Sequence, residues 1–322
     1  MEYNVLVLSA GRRVELIKCF KNAAQKLNIK SKIIAVDIEE TAPALYFSDK
    51  YYIISRIDND KFIDNIVNIS EKEAINLIVP TIDTELLKLA KNKDNIEDKT
   101  KAKVLISDYN LIEKCNDKFK TMRFLSENNF FVPFTYSNEH LEDVKFPVFI
   151  KPYNGSSSID TYKICNFKEL AFFKDYIKSP IIQEFILGTE YSVDVFCDFD
   201  FNPITIVPRV RLSVRSGEIL KGKIEKNEQI INEMKRLVNV IKPLGHITVQ
   251  CILSDNKVYI LEINPRFGGG APMSIKAGAN SCENLYRLLQ GEHLSYNENY
   301  MDNLVFSRFD DCISINSGND IR

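Results

Sequence analysis

Glu262, Asn264 and Arg266 fall two residues apart in Glu262-Ile263-Asn264-Pro265-Arg266, which closes an apolar run and leads into three glycines. Strand side chains alternate faces, so Glu262 and Asn264 project together. A carboxylate and an amide on one face at a strand end suit Mg²⁺, a hard cation that takes oxygen ligands and keeps substrate phosphates in its shell. Arg266 adds a fixed charge suited to phosphate or carboxylate. An amphipathic hairpin with a polar face would leave the same pattern, so the residues around it must decide. The preceding strand, residues 247–253, carries Gln250 and turns at Ser254-Asp255-Asn256. For Gln250 to share the face of Glu262 and Asn264, paired residue numbers must add to an even number. A three-residue turn at 254–256 gives that register, with Gln250 facing Ile260 and diagonal to Glu262.

Two lysines suit a polyphosphate. Lys151 ends the strand pattern 146–151 and is followed by Pro152; Lys118 lies early in a helical stretch. Each alone reads equally as a snorkelling surface lysine, but two separated ammonium groups match a triphosphate through charge-assisted contacts. Residues 154–158, Asn-Gly-Ser-Ser-Ser, could close backbone N–H groups and the hydroxyls of Ser156, Ser157 and Ser158 over phosphates. In residues 182–195 a break at Gly188 separates two strands. Glu184, Phe185 and Ile186 there could offer backbone donors and acceptors to a flat base, and Glu190 could meet sugar hydroxyls. Arg209 and Arg211 share a strand face and could neutralise charge in a cleft, or belong to an exposed cationic strand. Gly268 and Gly269 are further substrate candidates.

These residues need elements to hold them. Apolar runs at 4–8, 32–37, 51–54, 75–80 and 104–106 alternate with helical spacing at 12–27, 61–70 and, after the segment 81–85, to about 91. That alternation predicts a parallel, doubly wound sheet, with ligands beyond the carboxyl ends of its strands. Arg12, Arg13, Asp83 and Glu85 stand at such ends as candidates for holding an acid and an amine; helix caps and surface pairs would use the same residues. One helix is expected from 111 to 128. Beyond it β segments dominate, at 146–151, 161–164, 181–186, 190–198, 203–210, 247–253 and 257–263, with helices at 167–177 and 228–241. The expected domains are 1–112, 113–182 and 183–322.

Forty-two basic and 44 acidic residues leave a formal net charge of −2, so no basic surface recommends nucleic acid as a partner. No apolar run approaches the ~20 residues of a membrane span, and the first residues enter a strand pattern without a signal-peptide layout. Seven scattered cysteines without a CxxC read as reduced core thiols. Together these give the expectation of a cytoplasmic protein. Three histidines far apart in sequence argue against a zinc site or a Ser-His-Asp triad. The first strand–turn carries Gly11 alone rather than G-x-G-x-x-G, which disfavours a dehydrogenase.

The order of motifs resembles the ATP-grasp superfamily: a lysine in a helix, strand–Lys151-Pro152, a Gly/Ser loop, a segment with Glu184 and Glu190, then Glu262-x-Asn264-x-Arg266. Within it the chain is most similar to small single-copy proteins akin to the large subunit of carbamoyl phosphate synthase. The resemblance implies an α/β fold: a Rossmann-like parallel-sheet N-terminal domain, then an α+β ATP-grasp fold of two lobes. It implies that Lys118 and Lys151 contact ATP phosphates, that Glu184 and Ile186 meet adenine through their backbone, and that Glu190 meets ribose. Glu262 and Asn264 would bind Mg²⁺, or Mn²⁺ in its place, with Gln250 beside them; Arg266 would face the transferred phosphoryl group. The implied activity is an ATP-dependent carboxylate–amine ligase acting on a small-molecule acid and amine, and a homodimer is the expected assembly. Phosphorylation of a hydroxyl by the same fold, or nucleotide binding without catalysis, are the competing readings. The synthase proper has a duplicated, far longer subunit, so the full carbamoyl phosphate reaction is not expected of this single copy.

Overall fold

The computed structural model describes residues 2–137, 141–153 and 160–315. The chain divides into two compact units, residues 1–106 with 280–294 and 308–322, and residues 107–279 with 295–307. This corrects the expected domains: the first unit closes at Ile106 rather than 112, and two stretches of the expected 183–322 block return to it. The return has a physical basis in α8 (Ser281–Leu289), an amphipathic helix packed on α1 (Val14–Lys26). Tyr286 is buried edge-on against Phe20, and Lys26 pairs with Glu283.

The first unit is built on a parallel sheet in the order β3-β2-β1-β4-β5, formed by Asn4–Val7 (β1), Ile33–Asp37 (β2), Lys50–Ile53 (β3), Ile75–Val79 (β4) and Lys103–Val104 (β5). Val5, Leu6 and Val7, and Ile33 through Val36, are fully buried, as expected of central strands covered on both faces. Helices α1, α2 (Lys61–Lys72) and α3 (Asp83–Thr100) make the connections. The third helix runs well past the expected end near 91 because Leu86, Leu89 and Ile96 continue its buried stripe.

In the second unit the helix expected over 111–128 is two helices, α4 (Tyr109–Asn116) and α5 (Lys118–Glu127). Asp117 between them has extended backbone and caps α5, its side chain accepting from Lys120 N, the usual role of aspartate at an N-cap. Lys118 is therefore the first residue of a helix. A small antiparallel sheet follows in the order β6-β9-β7-β8, from Thr135–Tyr136 (β6), Val148–Pro152 (β7), Tyr162–Ile164 (β8) and Pro180–Glu184 (β9), with α6 (Phe167–Tyr176) beside it. Strand β9 runs through the expected 182/183 junction, so the break between sheets falls at 185–188.

The larger sheet is antiparallel, β14-β13-β10-β11-β12-β15, from Thr189–Cys197 (β10), Pro203–Arg215 (β11), Glu218–Ile224 (β12), Gly245–Ser254 (β13), Lys257–Asn264 (β14) and Val305–Ser307 (β15). Its two faces differ in chemistry. Tyr191, Val193, Val195, Ile247, Val249 and Cys251 pack in one core with Ile230, Met234, Leu237 and Ile241 of α7 (Glu228–Ile241). The alternate residues are polar: Glu190, Ser192, Asp194, Thr248 and Gln250. All seven cysteines are free, four of them buried. Among the described residues no helix is long and apolar enough to cross a membrane.

Candidate functional site

The hairpin β13–β14 meets the expected shared face by a different device. Asp255 and Asn256, with φ of 45° and 60°, form a two-residue turn, the left-handed pair of a type I′ hairpin. Pairs from Ser254–Lys257 to Cys251–Ile260 therefore have odd sums, which alone would turn Gln250 away from Glu262. A bulge at Leu261 restores the even register: Gln250 pairs directly with Glu262, and Thr248 with Asn264. The expected three-residue turn, and the Gln250–Ile260 pairing, are thus replaced by a tight turn plus one extra residue. Bulges of this kind re-aim side chains, and here both Leu261 and Glu262 line the same cavity.

That cavity, about 420 Å³ and wholly within the second unit, is lined by Lys118, Lys151, Glu184, Phe185, Ile186, Glu190, Arg211, Gln250 and Glu262 among the expected residues. Phe149, Ile252 and Leu261 add apolar walls that sequence reasoning missed. Strand alternation contained the signal for Phe149, two residues from Lys151, and for Ile252, two from Gln250; nothing in the sequence marks the bulge that brings in Leu261. Gly188 lies at the rim, where an added Cβ would stand 2.3 Å from the Leu253 carbonyl, so the backbone passes there only as glycine. Ser156, Ser157 and Ser158 lie outside the described residues.

The cavity's lysines are costly to bury. Burial lowers the pKa of Lys151 to about 8, aided by the Lys118 charge and opposed by Glu262. Burial also lowers Lys118, again opposed by Glu262. Desolvation penalises a charged ammonium unless an anion compensates it; one carboxylate leaves room for more negative charge. The Glu184 carboxylate is directed elsewhere, accepting from Phe134 N at 3.0 Å. Glu190 pairs with Arg211, whose pKa burial lowers against the pull of Glu190.

Several expected site residues serve the fold instead. Arg209 is 1% exposed and forms a buried ion pair with Asp194, with Ser274 Oγ as a second partner. Burial opposes ionisation of Asp194, but Arg209 and His246 hold its carboxyl below the usual range. Arg209 is thus neutralised inside the sheet and does not line the cavity. Gly268 and Gly269 are packing positions: a Cβ on either would come within 2.6 Å of Thr248 Oγ1 or Glu218 Oε1. Arg266 donates to Asn264 Oδ1 and to the Phe267 carbonyl, and Asn264 is buried; neither lines the cavity.

In the first unit, Glu85 is fully buried and accepts from Thr81 N, Ile82 N and Ser9 Oγ. It ties the start of α3 to the end of β1, which corrects its reading as a substrate holder. Asp37 likewise accepts from Gly11 N, Ile38 N and Glu39 N. Arg12 is exposed, with an ion pair of 3.7 Å to Asp310; Arg13 reaches the Thr81 carbonyl at 3.5 Å, and Asp83 opens α3.

Comparison with known proteins matches residues 115–270 to the ATP-grasp domain and residues 5–104 to the PylC-like N-terminal domain. The chain carries an ATP-grasp domain behind a PylC-like N-terminal domain. Among curated relatives, the carbamoyl phosphate synthase large chain of Clostridium perfringens is 24% identical over 314 residues, covering 84% of this chain and 27% of that protein. This chain therefore spans about a quarter of that relative's length. Among solved structures, the biotin carboxylase domain of Hydrogenobacter thermophilus 2-oxoglutarate carboxylase, in complex with MgADP, ADP and bicarbonate, aligns with a TM-score of 0.72 at 17% identity, covering 94% of this chain and 73% of that one. The L-amino acid ligase of Bacillus licheniformis aligns with a TM-score of 0.69 at 18% identity, covering 89% and 74%. These likenesses establish the ATP-grasp fold of the larger unit.

The residues present fit ATP with a divalent cation. Two desolvated lysines call for an anion, and Glu262 and Gln250, paired across the hairpin, offer oxygen donors at the cavity wall; Asn264 lies further along the same face, outside the cavity lining. Among the described residues no group of three or more His, Cys, Asp or Glu could hold a metal. A mixed carboxylate–amide set suits a cation that completes its shell with phosphate oxygens.

Proposed function

We propose that this protein is an ATP-dependent ligase that activates a carboxylate as an acyl phosphate and joins it to an amine. The observation that carries this reading is the convergence of half-buried Lys118 and Lys151 with Glu262 around one cavity in an ATP-grasp domain. In this reading Lys118 and Lys151 hold the triphosphate, and the backbone at Glu184–Ile186 receives the base between Phe149, Ile252 and Leu261. Glu262, Asn264 and Gln250 would hold Mg²⁺, which neutralises phosphate charge when bound. A substrate carboxylate oxygen attacks the γ-phosphorus; the bond to the β–γ bridging oxygen breaks and ADP leaves. The amine nitrogen then attacks the acyl carbon, and phosphate departs as the amide forms.

A carboxylate is a poor electrophile, and phosphorylation supplies its leaving group. The chain's part is positioning and charge compensation, as in phosphoryl transfer generally. No nucleophilic side chain is required. Arg266, beside Asn264, is assigned to the transferred phosphoryl group. The test is ADP release by the purified full chain across a matrix of carboxylic acids and amines, with mass detection of products. An amide formed with stoichiometric ADP supports the ligase. A phosphate ester would make the protein a hydroxyl phosphotransferase, and nucleotide binding without turnover under every pair would make it a binding protein.

A further inference from the structure

Asp194 lies one row behind the hairpin face that carries Gln250 and Glu262. Ser192 pairs with Gln250, and Gln250 with Glu262; in the next row Asp194 pairs with Thr248, and Thr248 with Asn264. The rows are about 7 Å apart, the length of two strand residues. Asp194 is buried, and its carboxylate is the common anchor of four side chains. Thr248 Oγ1 donates to Oδ1 at 2.9 Å and Ser274 Oγ to Oδ2 at 2.6 Å. Arg209 Nη1 donates to Oδ2 as well, and His246 Nε2 stands 3.5 Å from Oδ1. An ionised carboxylate only accepts, and a hydroxyl has one proton to donate; Thr248 and Ser274 both commit theirs to Asp194.

Each of the four partners also underlies or belongs to the segment after Asn264. The buried Phe267 ring stacks on His246 with centroids 4.2 Å apart. The backbone of Gly268 passes so close over Thr248 that an added Cβ would stand 2.6 Å from its Oγ1, and a Cβ on Gly270 would stand 2.6 Å from Arg209 Nη2. Ser274 lies in the short helix Ala271–Lys276 that continues the segment. Residues 267–274 are therefore seated on the partners of one carboxylate. Arg266 opens this segment, and its guanidinium reaches back to Asn264 Oδ1 at 3.3 Å. A loosened seat would displace Arg266 and leave Lys118 and Lys151, held on α5 and β7, in place.

We propose that Asp194 is a positioning residue for phosphoryl transfer: through Thr248, Arg209, Ser274 and His246 it fixes the backbone of residues 267–274 and so aims Arg266 at the transferred group. The inference rests on the ligase reading, in which Arg266 faces that group. It is tested in the full chain with the acid–amine pair that releases most ADP in the substrate matrix, comparing wild type with Thr248→Val, Thr248→Ser, Ser274→Ala and Asp194→Asn. ATP affinity is titrated beside turnover. Thr248→Val and Ser274→Ala should lower kcat about 10- to 100-fold, the scale of misplacing a group by about 1 Å. ATP affinity should stay within about threefold of wild type, under 1 kcal/mol by the usual conversion. Thr248→Ser keeps the hydroxyl and should recover most of the rate; if packing alone mattered, valine, which keeps the branched shape, would be the milder change. Asp194→Asn leaves Arg209 buried without its counter-charge, and where it does not fold the other variants decide. Variants that unfold more easily yet turn over at the wild-type kcat would overturn the inference. So would ATP affinity falling in step with kcat, since the effect would then lie at the nucleotide. A wild type that binds ATP and releases no ADP with any pair would overturn the ligase reading itself.

Discussion

The strand ends of the first unit and the cavity of the second both gather charged residues, but they resolve their electrostatics in opposite ways. At the end of β1, Glu85 meets Thr81 N, Ile82 N and Ser9 Oγ, and Asp37 meets three backbone N–H groups. Those carboxylates are satisfied by the chain itself. Around the cavity, Lys118 and Lys151 are desolvated so far that both bind their protons less firmly. A buried charge that local hydrogen bonds answer belongs to the architecture. A buried charge that shifts its pKa and borders a cavity costs stability in the free protein, and a ligand of opposite sign recovers it. The adjacent arginines repeat the lesson on one strand, with Arg209 answered internally and Arg211 at the cavity wall.

This contrast can be broken most decisively at Glu262. Glu262→Gln should lower ADP release by about a thousandfold, on the scale of removing a group that stabilises transferring charge, while the melting temperature stays nearly constant. A rate near wild type would remove Glu262 from the chemistry. Glu85→Ala should show the reverse profile: about 3 kcal/mol less stable in urea unfolding, because buried N–H donors lose their acceptor, with kcat of the folded enzyme preserved. A large fall in kcat at full stability would return Glu85 to the substrate.

The pH dependence sharpens the comparison. Folding lowers the Lys151 pKa from 10.5 to about 8, so between those values the native state binds fewer protons than the unfolded state and stability rises with pH. Ligand-free Lys151→Met should accordingly be more stable than wild type below pH 8, by on the order of 3 kcal/mol at most. That advantage should fade as pH climbs toward 10.5, and a pH-independent difference would mean that Lys151 is not desolvated. The same variant should bind ATP about 10- to 100-fold more weakly, as expected for losing a charge-assisted contact.

The parallel sheet was legible because its strands are continuous apolar runs separated by helical spacing, and β10, β13 and β14 because their alternation is regular. Short edge pieces such as β6 and β15 were not, since two or three residues carry no periodicity. The join between α4 and α5 was hidden in one apolar stripe, although Asp117 is the capping residue that ends it. Lys118, Lys151, Glu184, Glu190, Gln250 and Glu262 were singled out by residue type and order, and the structure gathers them around one cavity. Glu85, Arg209, Gly268 and Gly269 are tied into the fold, which the sequence did not show, because a charged or small residue looks the same there whether it faces a ligand or its own protein.

The sequence by itself determined the parallel strands of the first unit and the polar face of β10, β13 and β14, since both follow from local periodicity. Tertiary structure decided the parity of the β13–β14 hairpin, where a bulge at Leu261 reverses what the tight turn would impose. It also decided which charges are spent inside the protein. Hydrogen-bond partners and desolvation depend on residues distant in the chain, and no local pattern encodes them.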